Sequence, residues 1–361
     1  MSEMRDCTVA IAMFRYPHAQ RYCRLTQLEG QPDELLTCEE LGAQRGFVMA
    51  PFAPSAARPV VVIRPDRVEW SEVPQGALSL GGCDVQTLDG ATERQRYGTD
   101  FRNFHDRLVD GAFDKIVLAR CSQMTTAREA DVEELFFCAC RRYPRMFVAL
   151  VQAPRCGTWL MATPEILVQG SGREWHTMAL AGTMKLCGDM LDFDTPGAHT
   201  SADDIVWSEK NRFEQRYVAD YIAESVGRLS ADVASSAPYT TRAGDLVHLR
   251  TDFRFTLADG RGIGRVIDAL HPTPAVCGMP KQQTFDFIMD NEQMPRDYYS
   301  GFAGPMGIDG QTSLFVALRC MRIAGRSLSL YAGGGLLADS REEDEWNETE
   351  AKMETMKKLF N

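Results

Sequence analysis

A chain of 361 residues with 44% hydrophobic content can bury a large core, while a net charge of −11 sets an acidic surface against nucleic acid and anionic membranes as partners. Eleven cysteines, an odd number with no C-x-x-C pair, point to a reduced interior rather than a disulfide framework or zinc site. The opening "MSEMRDCTVAIAMFRYPHAQ" lacks the charged-then-apolar order of a secretion signal, and no run approaches the ~20 apolar residues of a membrane span, which points to the cytoplasm.

Up to about residue 95 the chain offers short β-like runs, "TVAIAMFRY", "GFVMAPF" and "PVVVIRP", separated by Pro and Gly turns and carrying no chemical constellation. From "YGTDFRNFHDRLVDGAFDKIVLARC" onward the pattern becomes helix, strand, helix, then several strands: "MFVALVQ", "TWLMATP", "EILVQG", "LFVALRCMRI" and "LSLYAGGG". "SEKNRFEQRYVADYIAESVGRL" reads as one long amphipathic helix with Ser208 as N-cap. Strands following one another without regular crossover helices predict two layered antiparallel sheets in a sandwich with helices outside, an α+β fold within the broad α/β class. No linker or repeat divides the chain, so 1–361 reads as a single compact body: a strand-rich part over 1–95 and a core over 96–361.

In "AFDKIVLARC" both faces of the strand are mostly apolar. Lys115 therefore either enters an interior, where desolvation suits it to act as a base, or snorkels out at the strand end. Arg319 in "LFVALRCMRI" cannot be deprotonated and wants a carboxylate in fork geometry, from the protein or from a substrate. The long helix aligns Lys210, Glu214, Val218 and Ile222, which puts a carboxylate at the end of a core-facing stripe. "EDEWNETEAKMETMKKLF" aligns Glu345, Glu348 and Lys352 on one face, either a solvated acidic face or half of a divalent-cation site. Carboxylates from two helices without a His or Cys cluster suit Mg²⁺. In "LHPTPAVCGMP" the prolines make a rigid loop able to hold His271 and Thr273, although a lone histidine is more often structural.

Ten ordered stretches, "FDKIVLAR", "TPEILV", "ALAGT", "SEKNRFEQ", "LVHLRTDF", "LHPTPAVCG", "RDYYSGFAGPMG", "FVALRC", "YAGGGL" and "EDEWNETEAK", resemble the chorismate-utilising enzymes over about residues 95–361. Isochorismate synthases are the most similar branch. The resemblance implies the sandwich fold, Mg²⁺ as cofactor, and chorismate as substrate. It implies metal ligation by Glu214 and Glu348 with Glu345 close by. Arg319 and Tyr299 match positions that hold a substrate carboxylate. Ala181, Gly182, Thr183, His271, Gly333, Gly335 and Lys352 match the substrate pocket.

Ammonia-adding relatives usually carry Gln at the place of Lys115, and aminodeoxychorismate synthases show "PIKGT" where this chain has "ALAGT" with Ala181. The resemblance thus implies a water-adding isomerase, with Lys115 as general base and Glu165 as general acid. The expectation is a monomer or weak homodimer without an obligatory glutaminase subunit, serving menaquinone biosynthesis. Salicylate formation or a siderophore route is the alternative; an amidotransferase-dependent synthase or a non-catalytic chorismate-binding regulator fits less well. Asn211 and Gln215 depart from the acid and the histidine that relatives often carry beside the metal glutamate.

Overall fold

The computed structural model describes residues 9–76, 85–186, 188–194, 201–230, 232–243 and 246–360. Residues 1–8, on which the reading of the opening segment partly rests, and Cys7 among them, lie outside the described residues. Two ten-stranded sheets form the scaffold, and the pairings between named strands are antiparallel. One sheet runs through Lys115–Thr126, Ser327–Leu336, Cys320–Ala324, Gly157–Thr163, Phe147–Ala153 and Ala10–Arg15. The other runs through Leu246–Thr256, Glu174–Lys185, Ile166–Ser171, Thr312–Val316, Phe302–Met306 and Gly46–Ala50.

Alternation along these strands puts an aromatic core between the sheets. Phe14, Phe147 and Trp159 from the first meet Phe47 and Phe315 from the second. The Phe147 and Phe315 rings stack 4.0 Å apart, and each such side chain contributes about 1.5–3 kcal/mol over leaving it in water. Helices cover the outer faces. Val218 and Ile222 of helix Glu209–Gly227 pack with Val266 and Ile267 on the second sheet. Leu135 and Phe136 of Val132–Arg142 and Met353 and Met356 of Glu342–Lys357 pack on the first.

The ends of these helices follow from local chemistry. Ser208 caps Glu209–Gly227 by accepting from Asn211 N at 3.2 Å. Four acidic residues open Glu342–Lys357, the sign that the positive end of the helix dipole favours.

The apolar run "LFVALRCMRI", predicted as one strand, is two strands in different sheets, Thr312–Val316 and Cys320–Ala324. Ala317 to Arg319 carry the chain across, with Arg319 in the left-handed region at φ 46°. A non-glycine residue held there costs on the order of 1–3 kcal/mol. "TWLMATP" and "EILVQG" cross the other way, Gly157–Thr163 in the first sheet and Ile166–Ser171 in the second, with Pro164 and Glu165 between. The two crossings lie side by side. Val316 N donates to Glu165 O at 2.9 Å, Ala162 N to Arg319 O at 3.2 Å, and Thr163 Oγ1 to Val316 O at 2.8 Å.

Candidate active site

At this double crossing lies a chamber with about 60 Å³ of free space, bordered by Glu165, Arg319, Tyr299, Lys352 and Glu214. Strand Glu174–Lys185 adds Leu180, Ala181, Gly182 and Thr183, and strand Ser327–Leu336 adds Gly333 and Gly335. A bulge between Ala181 and Thr183, with Gly182 at φ 74°, turns this stretch toward the chamber. A side chain at Gly182 would press on Asn211 of the long helix, 3.0 Å from its carbonyl oxygen.

Lys115 is fully buried, which decides between the two sequence readings of its strand in favour of the interior. Its Nζ lies 3.0 Å from Glu214 Oε1 and has no hydrogen-bond partner beyond that ion pair. Glu214, in turn, is pushed up by burial, but Lys115, Lys352 and Lys210 outweigh this and hold it below its usual range. Lys115 does not itself border the free space; Glu214 and Gly335 stand there instead.

Glu165, 3% exposed, has the opposite environment. Burial raises its carboxyl to about 8 against the opposing charges of Lys115, Arg319 and Lys352, so the acid form prevails at neutral pH. Arg319 donates from one terminal nitrogen to Ala243 O at 3.3 Å and from the other to His248 Nε2 at 2.6 Å. An arginine can only donate, so Nε2 accepts and the His248 proton sits on Nδ1, 3.1 Å from Gly182 O and 3.3 Å from Thr183 Oγ1. Burial, then the charges of Arg319 and Lys352, push His248 well below its usual value and keep it neutral.

His248 was not singled out in sequence; the signal was available, since "LVHLRTDF" sets a histidine in an apolar strand just as "LFVALRC" sets an arginine. The histidine that was singled out is placed elsewhere. His271 Nε2 lies 3.0 Å from Pro51 O and 3.2 Å from Phe52 O, with its ring edge-on to Phe302. The proline-rich loop reaches the chamber through Ala275 and Val276 instead. Its rigidity anchors the loop to the chain around Pro51 and Phe52, and the imidazole is spent on that anchor.

Glu214, Glu345 and Glu348 face one strand. A side chain at Gly334 would stand 3.2 Å from Glu345 Oε2 and 3.8 Å from Glu348 Oε1, and one at Gly335 would collide with Glu214 Oε1. Each carboxylate holds a lysine: Glu214 with Lys115, Glu345 with Lys210, and Glu348 with Lys352 at 2.7 Å. Lys352 also donates to Gly333 O at 2.8 Å, and Ser340 Oγ to Glu345 Oε1 at 2.7 Å. Burial and the neighbouring Glu348 raise Glu345.

Among the described residues no three His, Cys, Asp or Glu converge into a ready-made metal cage, because the lysines draw the carboxylates apart. The donor set nevertheless fits a hard cation. It is all oxygen, it is cradled by glycines that leave the space open, and Glu345 Oε2 is buried without a partner.

Asn211 and Gln215 take structural parts. The Asn211 backbone buttresses Gly182, and Gln215 Nε2 donates to Thr251 Oγ1 at 3.0 Å.

A family described as chorismate binding enzyme matches residues 84–361. The chain is 29% identical to the isochorismate synthase DhbC of Bacillus subtilis over 94% of this chain and 87% of that one. It is 32% identical to the salicylate biosynthesis isochorismate synthase of Pseudomonas aeruginosa, over 75% of this chain and 56% of that one. The fold is similar to that of MenF, the menaquinone-specific isochorismate synthase of Escherichia coli, with a TM-score of 0.81 at 20% identity over 99% of this chain and 90% of that one.

Proposed function

Because the chain belongs to the chorismate-binding enzyme family, we propose that it is an isochorismate synthase, an isomerase that moves the ring hydroxyl of chorismate from C4 to C2. The observation that carries this reading is a fully buried lysine set against a buried glutamate that keeps its proton to about pH 8. An amine and a carboxylic acid, the two groups that proton removal and proton delivery require, are thus present together.

In the proposed reaction Arg319, oriented by neutral His248, takes a substrate carboxylate in fork geometry, and Tyr299 closes the same side. Lys115, as the free amine left once its ammonium proton has gone to solvent on parting from Glu214, accepts a proton from water as that water forms the new C2–O bond. The ring double bonds shift, the C4–O bond breaks, and Glu165 delivers its proton so that the hydroxyl leaves as water. Water is taken up and released in equal measure, so substrate and product are isomers. Mg²⁺ held by Glu214, Glu345 and Glu348 supplies, when bound, neutralisation and orientation of the ring carboxylate. Ala181 offers no amine for covalent attack on the ring. The chamber is too small for a ring dicarboxylate as it stands, so the lysine–glutamate pairs are the contacts that substrate and cation must open.

Incubation of the purified protein with chorismate and Mg²⁺, followed by chromatography, tests the proposal. Isochorismate is expected without ammonia or glutamine. Anthranilate or an aminated chorismate as the main product would overturn it, and salicylate would favour the alternative of pyruvate elimination in the same chamber. EDTA should abolish turnover and Mg²⁺ restore it, and Glu214→Gln and Glu348→Gln should each lose activity with the fold intact. For the product's use we keep the menaquinone route. Disruption of the gene should remove menaquinone; loss of a catechol siderophore or of salicylate instead would redirect it.

A further inference from the structure

Behind Arg319 lies a second cavity of about 480 Å³, several times the free space of the chamber and within the range of small-molecule sites. Among the described residues its charged wall is Arg142, Arg145, Lys185, Arg242 and Lys358 against one acid, Glu354. On a chain of net charge −11 this is a local reversal of sign. Glu354 is itself shared with Lys357 at 3.8 Å, Arg145 is paired with Asp194 at 3.1 Å and Arg242 donates to Leu191 O at 2.9 Å, so the positive charges the wall offers to a ligand centre on the exposed Arg142 and Lys185.

Only a thin partition separates this cavity from the chamber. Ala243 lines the basic cavity, and its carbonyl accepts from the Arg319 guanidinium. Tyr143, on the same wall, donates its hydroxyl to Thr355 O at 2.7 Å, and Ala351 adjoins Lys352 of the chamber.

We infer that the basic cavity is a collecting site for the dianionic substrate, which is held there by its two carboxylates before Arg319 takes one of them into the chamber. The inference rests on the chorismate reading above. A molecule of roughly this size and charge −2 does not fit the closed chamber but fits the larger cavity. Low-dielectric walls bearing one sign of charge raise the local concentration of an opposite ion and its rate of association by ~10- to 10³-fold. On a chain of net charge −11 such a focus offsets the repulsion that the overall charge sets against a dianion.

The test is the association rate of chorismate, read by stopped-flow intrinsic tryptophan fluorescence at low and high salt, alongside kcat and KM with Mg²⁺ present. Arg142 and Lys185 are exposed and touch no residue of the chamber's chemistry in the contacts described above. The doubly neutralised protein Arg142→Gln/Lys185→Gln should associate about tenfold more slowly at low salt, with a shallower salt dependence, unchanged kcat and an unchanged thermal midpoint. Arg142→Lys/Lys185→Arg, which keeps both charges, should match the natural protein.

Equal association rates and salt slopes in the neutralised and natural proteins overturn the inference, and so does a fall in kcat that accompanies the fall in rate. If chorismate associates with this salt and charge dependence but is not turned over, the collecting site stands and the isochorismate synthase reading falls. If chorismate does not associate at all, both fall.

Discussion

Glu165 is the residue whose environment has the most direct kinetic consequence. Burial raises its carboxyl to about 8, so the proton it must deliver is in place below that pH and absent above it. We expect kcat/KM to fall as pH rises through about 8, and Glu165→Gln, which keeps size and polarity but has no acid proton, to lose on the order of 10² or more in kcat. The same shift enters stability. A carboxyl that titrates higher in the folded protein binds its proton more tightly there, so its contribution falls as pH rises from the unfolded value, near 4.5, toward 8. Urea midpoints of Glu165→Gln should therefore decline less between pH 5 and 8 than those of the natural protein; parallel declines would show that Glu165 is not the group. Lys115→Ala should lose the isomerase reaction by roughly 10²-fold while still binding chorismate, since Arg319 and Tyr299 remain. Excess ammonium at raised pH should restore slow amination in that variant and nothing in Glu165→Gln; equal rescue of the two would mean the acid and base are misassigned. His248→Phe strips Arg319 of a buried acceptor, and the loss of a hydrogen bond to a charged group should raise KM about tenfold, with a smaller effect on kcat.

At the scale of elements, the strand Ser327–Leu336 explains why glycines stand where a helix of carboxylates arrives. Gly335→Ala places a methyl group into Glu214 Oε1 and 2.8 Å from Lys115 Cε, both attached to backbones that packing holds in place. We expect a loss of activity of about 10²-fold, the scale of a misplaced catalytic group, with far-ultraviolet circular dichroism unchanged; near-normal turnover would mean that the ion pair is not part of the working site. This strand and the capped helix were legible because apolar periodicity and cap chemistry each have a local cause; a charge inside an apolar run marked Lys115, but its burial was decided only by the packing around it. The sheet switch at Arg319 was not legible. A continuous apolar run looks alike whether it stays in one sheet or passes to another, and the change of sheet is decided by what lies across from it, here Thr163 and Glu165. The direction of His271 was illegible for the mirror reason. Its loop is rigid, as the prolines require, but rigidity does not say which way the imidazole points, and two carbonyls around Pro51 decided that.

Across the whole molecule, the matched family begins at residue 84, yet the chain before it is built into both sheets. Ala10–Arg15 pairs with Phe147–Ala153 in the first sheet, and Gly46–Ala50 pairs with Phe302–Met306 in the second. Phe14 and Phe47, both fully buried, lie 5.8 Å apart between the sheets, with Phe14 6.1 Å from Phe147. Removing the segment would uncover one face of this aromatic core and expose two strand edges, each a row of unpaired backbone groups ready to pair with another chain. The chamber lies within the same interleaved body, because Glu165 and Arg319 stand where the chain passes from one sheet to the other and neither sheet can move without carrying one of them. Two consequences follow from one cause. Unfolding of the full chain by urea should be a single transition, with tryptophan fluorescence, circular dichroism and loss of activity sharing one midpoint. The fragment 85–361, although it holds each residue assigned to acid, base and carboxylate binding, should be inactive, bind a hydrophobic dye and aggregate. A soluble, active fragment, or midpoints that separate between probes, would show that the strands before residue 84 are an addition to the catalytic body and not part of its core.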